Sequence, residues 1–173
     1  SSDLVAETNV GKLRHSRVPF YRRNIGVVFQ DFRLLPKMTV FENIAFALEV
    51  LALDKVTIRR RVREILELVS LQDKAKSFPD QLSGGQQQRA TIARAIANHP
   101  KVLIADEPTG NLDPEKSMEI IELLDKINKV EGTTIVMVTH DSTLVNTYKK
   151  RTIALEDGFI VADIAKGGYI HHD

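Results

Sequence analysis

Three runs of apolar and β-branched residues stand apart from the rest of the chain: IGVVF at 25–29, VLIA at 102–105 and TTIVMVT at 133–139. Such runs, without polar alternation, predict strands buried inside a sheet, and VLIA is expected to be covered on both faces. Between the runs the apolar period becomes helical. Thr39 and Glu42 form a T-x-x-E capping box ahead of Ile44, Ala47, Leu48 and Leu51, which share one helix face. A second helix is expected from near Thr57, with Val62, Ile65, Leu66 and Val69 inward and Arg59, Arg60, Arg61 and Arg63 on a solvated face. A loop marked by Pro79 covers 77–85. The helix expected over 86–98 carries Ala90, Ala93 and Ala97 beside Ile92 and Ile96, a set suited to close packing. Asp113 then caps a helix with Pro114 at its first position, a core stripe of Ile120, Ile121, Leu124 and Ile127, and Gly132 as its stop. Residues 152–163, TIALE-DG-FIVAD, read as a hairpin turned on Asp157 and Gly158, and the tail beyond Lys166 is expected to be loose.

Helices alternating with apolar strands imply an α/β layered domain with a mainly parallel sheet. The 173 residues are expected to form one domain, with a helical subdomain at about 34–97 set to one side. Composition narrows the classes. A formal net charge of +1 gives no argument for nucleic-acid binding, and without cysteine there is neither disulfide nor thiol chemistry. The longest apolar stretch, 44–53, is interrupted by Glu49 and is far shorter than the roughly 20 residues of a spanning helix. A membrane role would need a partner. No signal peptide opens the chain, and a first residue other than Met leads us to expect a trimmed or internal piece.

Candidate chemistry sits at the ends of these elements. In LSGGQQQR, 82–89, a serine at a helix start is followed by two glycines, exposing backbone N–H groups at the positive end of a helix. Gly84 and Gly85 would let that backbone meet a phosphate with no Cβ in between. KVLIADEP, 101–108, delivers Asp106 and Glu107 at the C-terminal end of a strand, where α/β folds place ligands. An aspartate there can hold a Mg²⁺ shell, and a glutamate can orient or deprotonate a water. AETNVGKL, 6–13, imitates the phosphate loop GxxxxGK[ST], but Ala6 replaces its first glycine and Leu13 its hydroxyl. It is expected to be a surface strand and turn, not that loop.

LSGGQ, LIADEPTGNLD and VMVTHD, in this order and spacing, resemble the nucleotide-binding subunit of ABC transporters over about 150 residues from Ile25 onward. The resemblance implies a P-loop NTPase fold, ATP and Mg²⁺ as ligands, and a homodimer that sandwiches two ATP molecules. It assigns Gln30 to the Q-loop, contacting Mg²⁺ and the attacking water and sensing a membrane partner. It assigns Ser83, Gly84, Gly85 and Gln86 to the signature motif that grips the γ-phosphate of ATP held by the opposite subunit. Asp106 matches the Walker B aspartate and Glu107 the catalytic glutamate. Asn111, Leu112 and Asp113 match the D-loop at the dimer interface, and His140 matches the switch histidine at the γ-phosphate. Residues 26–50 and the RRNIGVVFQDF stretch resemble the family's bacterial cell-division branch, whose partner is an integral membrane protein of the permease type. Related lipoprotein-release and peptide-export ATPases share IADEPTGNLD, and a non-hydrolysing regulatory subunit or a soluble relative of DNA repair or translation are the other readings. The family's GxxGxGK[ST] occurs nowhere in the 173 residues. The expectation is therefore that the N-terminal strands and Walker A helix of the fold are absent and that this chain alone is inactive.

Overall fold

The computed structural model describes residues 4–5, 8–9 and 18–166, which divide into two compact units, Ser1–Val138 and Thr139–Asp173. In the first unit a two-residue strand pair, β1 (Leu4–Val5) with β2 (Thr8–Asn9), precedes α1 (Val18–Arg22). Apart from Thr8 and Asn9, the expected strand and turn at 6–13 lie outside the described residues, as does the tail at 167–173. The sheet consists of β3 (Ile25–Val28), β4 (Val102–Asp106) and β5 (Thr134–Val138), parallel and in the order β3-β4-β5. Its register sets Val28 beside Ala105 and Asp106 beside Val138, so all three strands end at one edge.

The helices are placed by their caps. Thr39 and Glu42 exchange hydrogen bonds as a capping box at the start of α2 (Val40–Glu49). Asp54 caps α3 (Lys55–Leu68), which therefore begins two residues before the expected Thr57. Ser83 caps α4 (Gly84–Ala95), and Asp113 caps α5 (Pro114–Glu131). Val28, Ile44, Leu48, Ile65, Ile92, Ile96, Leu103, Ile120 and Ile127 are fully buried and make one core shared by these helices and the strands. Burial of each such side chain contributes about 1.5–3 kcal/mol.

Two expectations fail here. The strands are fully buried on one face only: Leu103 and Ala105 are buried, whereas on the other face Ile104 is half-buried and Val27, Val136 and Val138 are 39%, 47% and 52% exposed. An apolar run reports that a strand is apolar on both sides, and cannot report whether a layer lies over each. Arg61 does not belong to a solvated face; it is 8% exposed, while Arg59, Arg60 and Arg63 are exposed as expected. Helical periodicity assigned Arg61 to the outside by its charge, but its guanidinium is satisfied by buried acceptors. Nε donates to the Ala97 carbonyl (3.2 Å), Nη2 to the Ile96 carbonyl (3.2 Å), and Nη1 and Nη2 to the Glu131 carboxylate (3.1 and 2.9 Å).

Helix α4 crosses β3 closely at Gly26. A Cβ there would lie 2.5 Å from the Ala95 carbonyl oxygen and 2.8 Å from Leu103 Cδ1. Gly26→Ala is expected to destabilise the protein by about 1–3 kcal/mol through overpacking against backbone. Urea unfolding checks this, and an unchanged midpoint would show that the crossing can widen freely.

The second unit holds α6 (Ser142–Tyr148), capped by Asp141, and an antiparallel hairpin of β6 (Thr152–Glu156) and β7 (Phe159–Ile164). Its turn is at Asp157 and Gly158, both at positive φ (47° and 83°). No helix among the described residues is long and apolar enough to cross a membrane.

Candidate functional site

Sequence position alone makes Gln30, Asp106 and Glu107 remote, and the parallel register brings them together. Gln30 lies two residues beyond β3, Asp106 is the last residue of β4, and Glu107 follows it, all at the C-terminal edge of the sheet. A second contact fixes this arrangement. Gln30 Nε2 donates to Asn111 Oδ1 (3.3 Å), and Asn111 Nδ2 donates to the Gln30 carbonyl (3.0 Å). With its amide nitrogen on Asn111, the end of Gln30 left to accept is its oxygen.

Two residues, buried Asn43 and exposed Gly110, build the loops that carry these residues. Asn43, fully buried in α2, accepts from Leu35 N–H (2.8 Å) and donates to the carbonyls of Leu35, Met38 and Thr39. It thereby pins the segment between Gln30 and α2. Gly110 packs directly on Gln30: a Cβ at that position would stand 2.6 Å from Gln30 Nε2 and 3.0 Å from its Cδ. Gly110→Ala is expected to displace the Gln30 side chain, which can swing aside, with little loss of stability. In the complete gene product, turnover should fall on the order of 10-fold to 100-fold, the usual cost of about 1 Å of misplacement. Equal turnover at an equal melting temperature would contradict the placement of Gln30.

Glu107 is the one strained residue of the group. Its φ is 46°, in the left-handed region that non-glycine residues seldom adopt, and the following Pro108 restricts it further. Its N–H donates to the Val138 carbonyl (3.0 Å), and its carbonyl accepts from Gly110 N–H (3.1 Å). Backbone strain of this kind persists only where the surroundings over-determine it. The result is a half-buried carboxylate held one residue past an exposed one, Asp106.

The N-terminus of α4 is a separate feature of the same unit. Ser83 Oγ accepts from Gln86 N–H (3.3 Å), and Gln86 Oε1 accepts from Ser83 N–H (3.0 Å). A Cβ at Gly84 would come no nearer than 3.4 Å to a neighbour, Leu112 Cδ2, and one at Gly85 no nearer than 3.4 Å, to Lys116 Cδ. Neither glycine is demanded by the chain's own packing, and neither has positive φ. Glycine at both positions puts no Cβ between an incoming anion and the N–H groups of this helix start, where Gly84 is half-buried and Gly85 buried. Arg89 donates to Glu119 (2.9 Å) and Lys116 pairs with the same carboxylate (2.6 Å), fastening α4 to α5. The hydrogen bonds of Lys116 and then Arg89 hold the Glu119 carboxyl below the ordinary carboxylate range.

Asp113 Oδ1 accepts from Lys116 N–H (3.0 Å), so it acts as the cap of α5 in this structure. His140 lies two residues past β5, in the second unit, exposed and next to the Asp141 cap of α6. The sequence reading missed Asn43, Gln88 and Gly110 as supports of the site. Only Gln88 had a signal there, a run of three glutamines behind the glycine pair.

A divalent cation fits the chemistry of the edge without a ready-made cage. Among the described residues no three His, Cys, Asp or Glu side chains converge on one point. Mg²⁺ commonly takes one or two carboxylates and completes its shell with water and substrate phosphates, so Asp106 and the Gln30 oxygen are the donors that would hold it.

Comparison with known proteins gives consistent matches. A model of the ABC transporter family matches residues 5–110. The cell division ATP-binding protein FtsE of Bacillus subtilis is 56% identical over 170 residues, covering 98% of this chain and 74% of that protein. The FtsE of Streptococcus pneumoniae strain D39 is 57% identical over 169 residues, covering 98% and 73%. Among solved structures, the dimeric post-hydrolysis state of the ATP-binding cassette MJ0796 bound to ADP and Pi superimposes with a TM-score of 0.79 at 37% identity, covering 95% of this chain and 73% of that one.

Proposed function

The chain belongs to the ABC transporter family as an FtsE-like ATPase, and from that premise we propose that it is the ATP-hydrolysing subunit of a bacterial cell-division complex. The observation that carries the reading is the strained Glu107 turn beside Gln30 and Asn111 at the open edge of the parallel sheet. Two copies of the subunit would enclose ATP, with the N-terminus of α4, Ser83 to Gln86, facing the γ-phosphate held by the other copy. Bound Mg²⁺ would neutralise charge on the phosphates at Asp106 and Gln30. Glu107 orients and deprotonates the attacking water, and His140 donates toward the γ-phosphate. Asp113, with Asn111 and Leu112, lies in the segment that would meet the other copy.

The membrane partner is of the FtsX type, and ATP turnover at the cytoplasmic face of the cell membrane would control cell-wall hydrolysis through it. A groove of about 340 Å³ supports such docking. It is lined by Ile25, Val27, Leu35, Phe46, Val50 and Arg94, and Phe46 and Val50 are 45% and 65% exposed. Pull-down of membrane proteins with the complete gene product tests the reading: recovery of a permease-like protein, lost on Phe46→Asp, is expected. Recovery of soluble nucleic-acid complexes in its place would contradict it.

The single-domain arrangement, with the helical subdomain at about 34–97, is part of the same proposal. The phosphates of ATP need a cradle of the GxxGxGK[ST] kind, which the 173 residues do not contain. By itself this chain is therefore expected to bind ATP only weakly and to hydrolyse none. Micromolar binding in calorimetry would contradict that.

A further inference from the structure

Gln88 is fully buried in α4, two residues beyond Gln86, and its side chain crosses to the loop that follows β4. Its Nε2 donates to the Pro108 carbonyl at 2.6 Å. A carbonyl cannot donate, so the amide nitrogen must be the end that faces Pro108. The cost of that choice is visible: Gln88 Oε1 is buried with no hydrogen-bond partner among the described residues. Burying an amide acceptor without a donor is unfavourable, and a methionine of similar volume would fill the space without that orphan, at the loss of the donor to the Pro108 carbonyl. Packing alone does not explain a glutamine here.

What the amide does hold is the carbonyl of Pro108, the residue directly after Glu107. The left-handed backbone of Glu107 is anchored ahead by Val138 and behind by Gly110, and Gln88 grips the carbonyl of Pro108 between Glu107 and Gly110. We propose that Gln88 is a positioning residue: its hydrogen bond to Pro108 fixes the strained turn that aims the Glu107 carboxylate. The inference rests on the proposed role of Glu107, and it adds a link from the helix that Ser83 caps to the loop that carries the reacting carboxylate of the same chain. The tolerated orphan acceptor is the by-product of keeping a donor at that place.

The test uses the complete gene product with Mg²⁺ and ATP. Wild-type protein comes first: absence of hydrolysis there would reject the ATPase reading itself, before Gln88 is in question. Gln88→Met keeps the volume and removes the donor. It is expected to keep the melting temperature and to leave KM within about twofold, while kcat falls about tenfold or more. Gln88→Glu supplies a second measurement. Its carboxylate has nothing to donate when ionised, but the protonated acid can donate to Pro108, and burial favours that form. Its kcat relative to wild type should therefore rise as pH is lowered from 8 to 6. Wild-type kcat in Gln88→Met, a loss that appears in KM alone, or a flat relative pH profile for Gln88→Glu would each overturn the proposal. Failure of both variants to fold would also overturn it, by assigning Gln88 to the core.

Discussion

In the complete gene product, Glu107→Gln is expected to lower steady-state ATP turnover by about 10³-fold while leaving the ATP-bound dimer intact. The substitution exchanges one carboxylate oxygen for an amide nitrogen at nearly constant shape. The backbone of the turn is held by groups that do not involve the side chain, namely the Val138 carbonyl and Gly110 N–H. Asp106, the oxygen donor proposed for Mg²⁺, is untouched, so nucleotide should still bind and the two copies should still close on it. Only the capacity to take a proton from water is removed. Phosphate release measures the first effect, and size-exclusion chromatography with ATP the second. Hydrolysis within about tenfold of wild type would reject Glu107 as the base.

Arg61→Met is expected to destabilise the first unit by about 3–5 kcal/mol, because it strands a buried carboxylate. Arg61 and Glu131 side chains are 10% and 9% exposed, and the guanidinium meets both carboxylate oxygens. The same group caps the carbonyls of Ile96 and Ala97 beyond α4, so one side chain joins α3, the end of α4 and the end of α5. His99 Nδ1 adds a contact to Glu131 at 2.7 Å. Burial works against ionisation of Glu131, and the hydrogen bonds and charge of Arg61, then His99, outweigh it, so its pKa lies below the ordinary 4.5. A depressed carboxyl stabilises the fold fully above its unfolded pKa and loses that contribution as pH falls through the folded value. The cluster should therefore weaken only below about pH 4.5. Replacing both partners by methionine should restore most of the loss, since no charge is then stranded. A single Arg61→Met variant as stable as wild type in urea would show that Glu131 finds another partner.

Much of this was legible in the sequence because it depends on neighbours along the chain. The caps at Thr39, Ser83 and Asp113 and the Asp157–Gly158 turn follow from residue chemistry within three or four positions. The meeting of Gln30 with Asp106 and Glu107 was legible only through the motif order that resembles the family, since periodicity does not give strand order. What remained hidden depends on partners far away in sequence. Arg61 reads as solvated until Glu131 is beside it, and Gln88 reads as one of three glutamines until Pro108 is above it. The coverage of VLIA was misjudged for the same reason, because nothing within the strand records which layer lies over it.

The central claim is that this chain's Asp106–Glu107 edge performs Mg²⁺-dependent hydrolysis of ATP. Phosphate release by the complete gene product, assayed with its membrane partner in Mg²⁺ and then in excess chelator, tests it most directly. The account predicts steady turnover that stops when the cation is removed and is absent in Glu107→Gln. Turnover that survives the chelator, or no turnover from wild-type protein that binds ATP tightly, would contradict it.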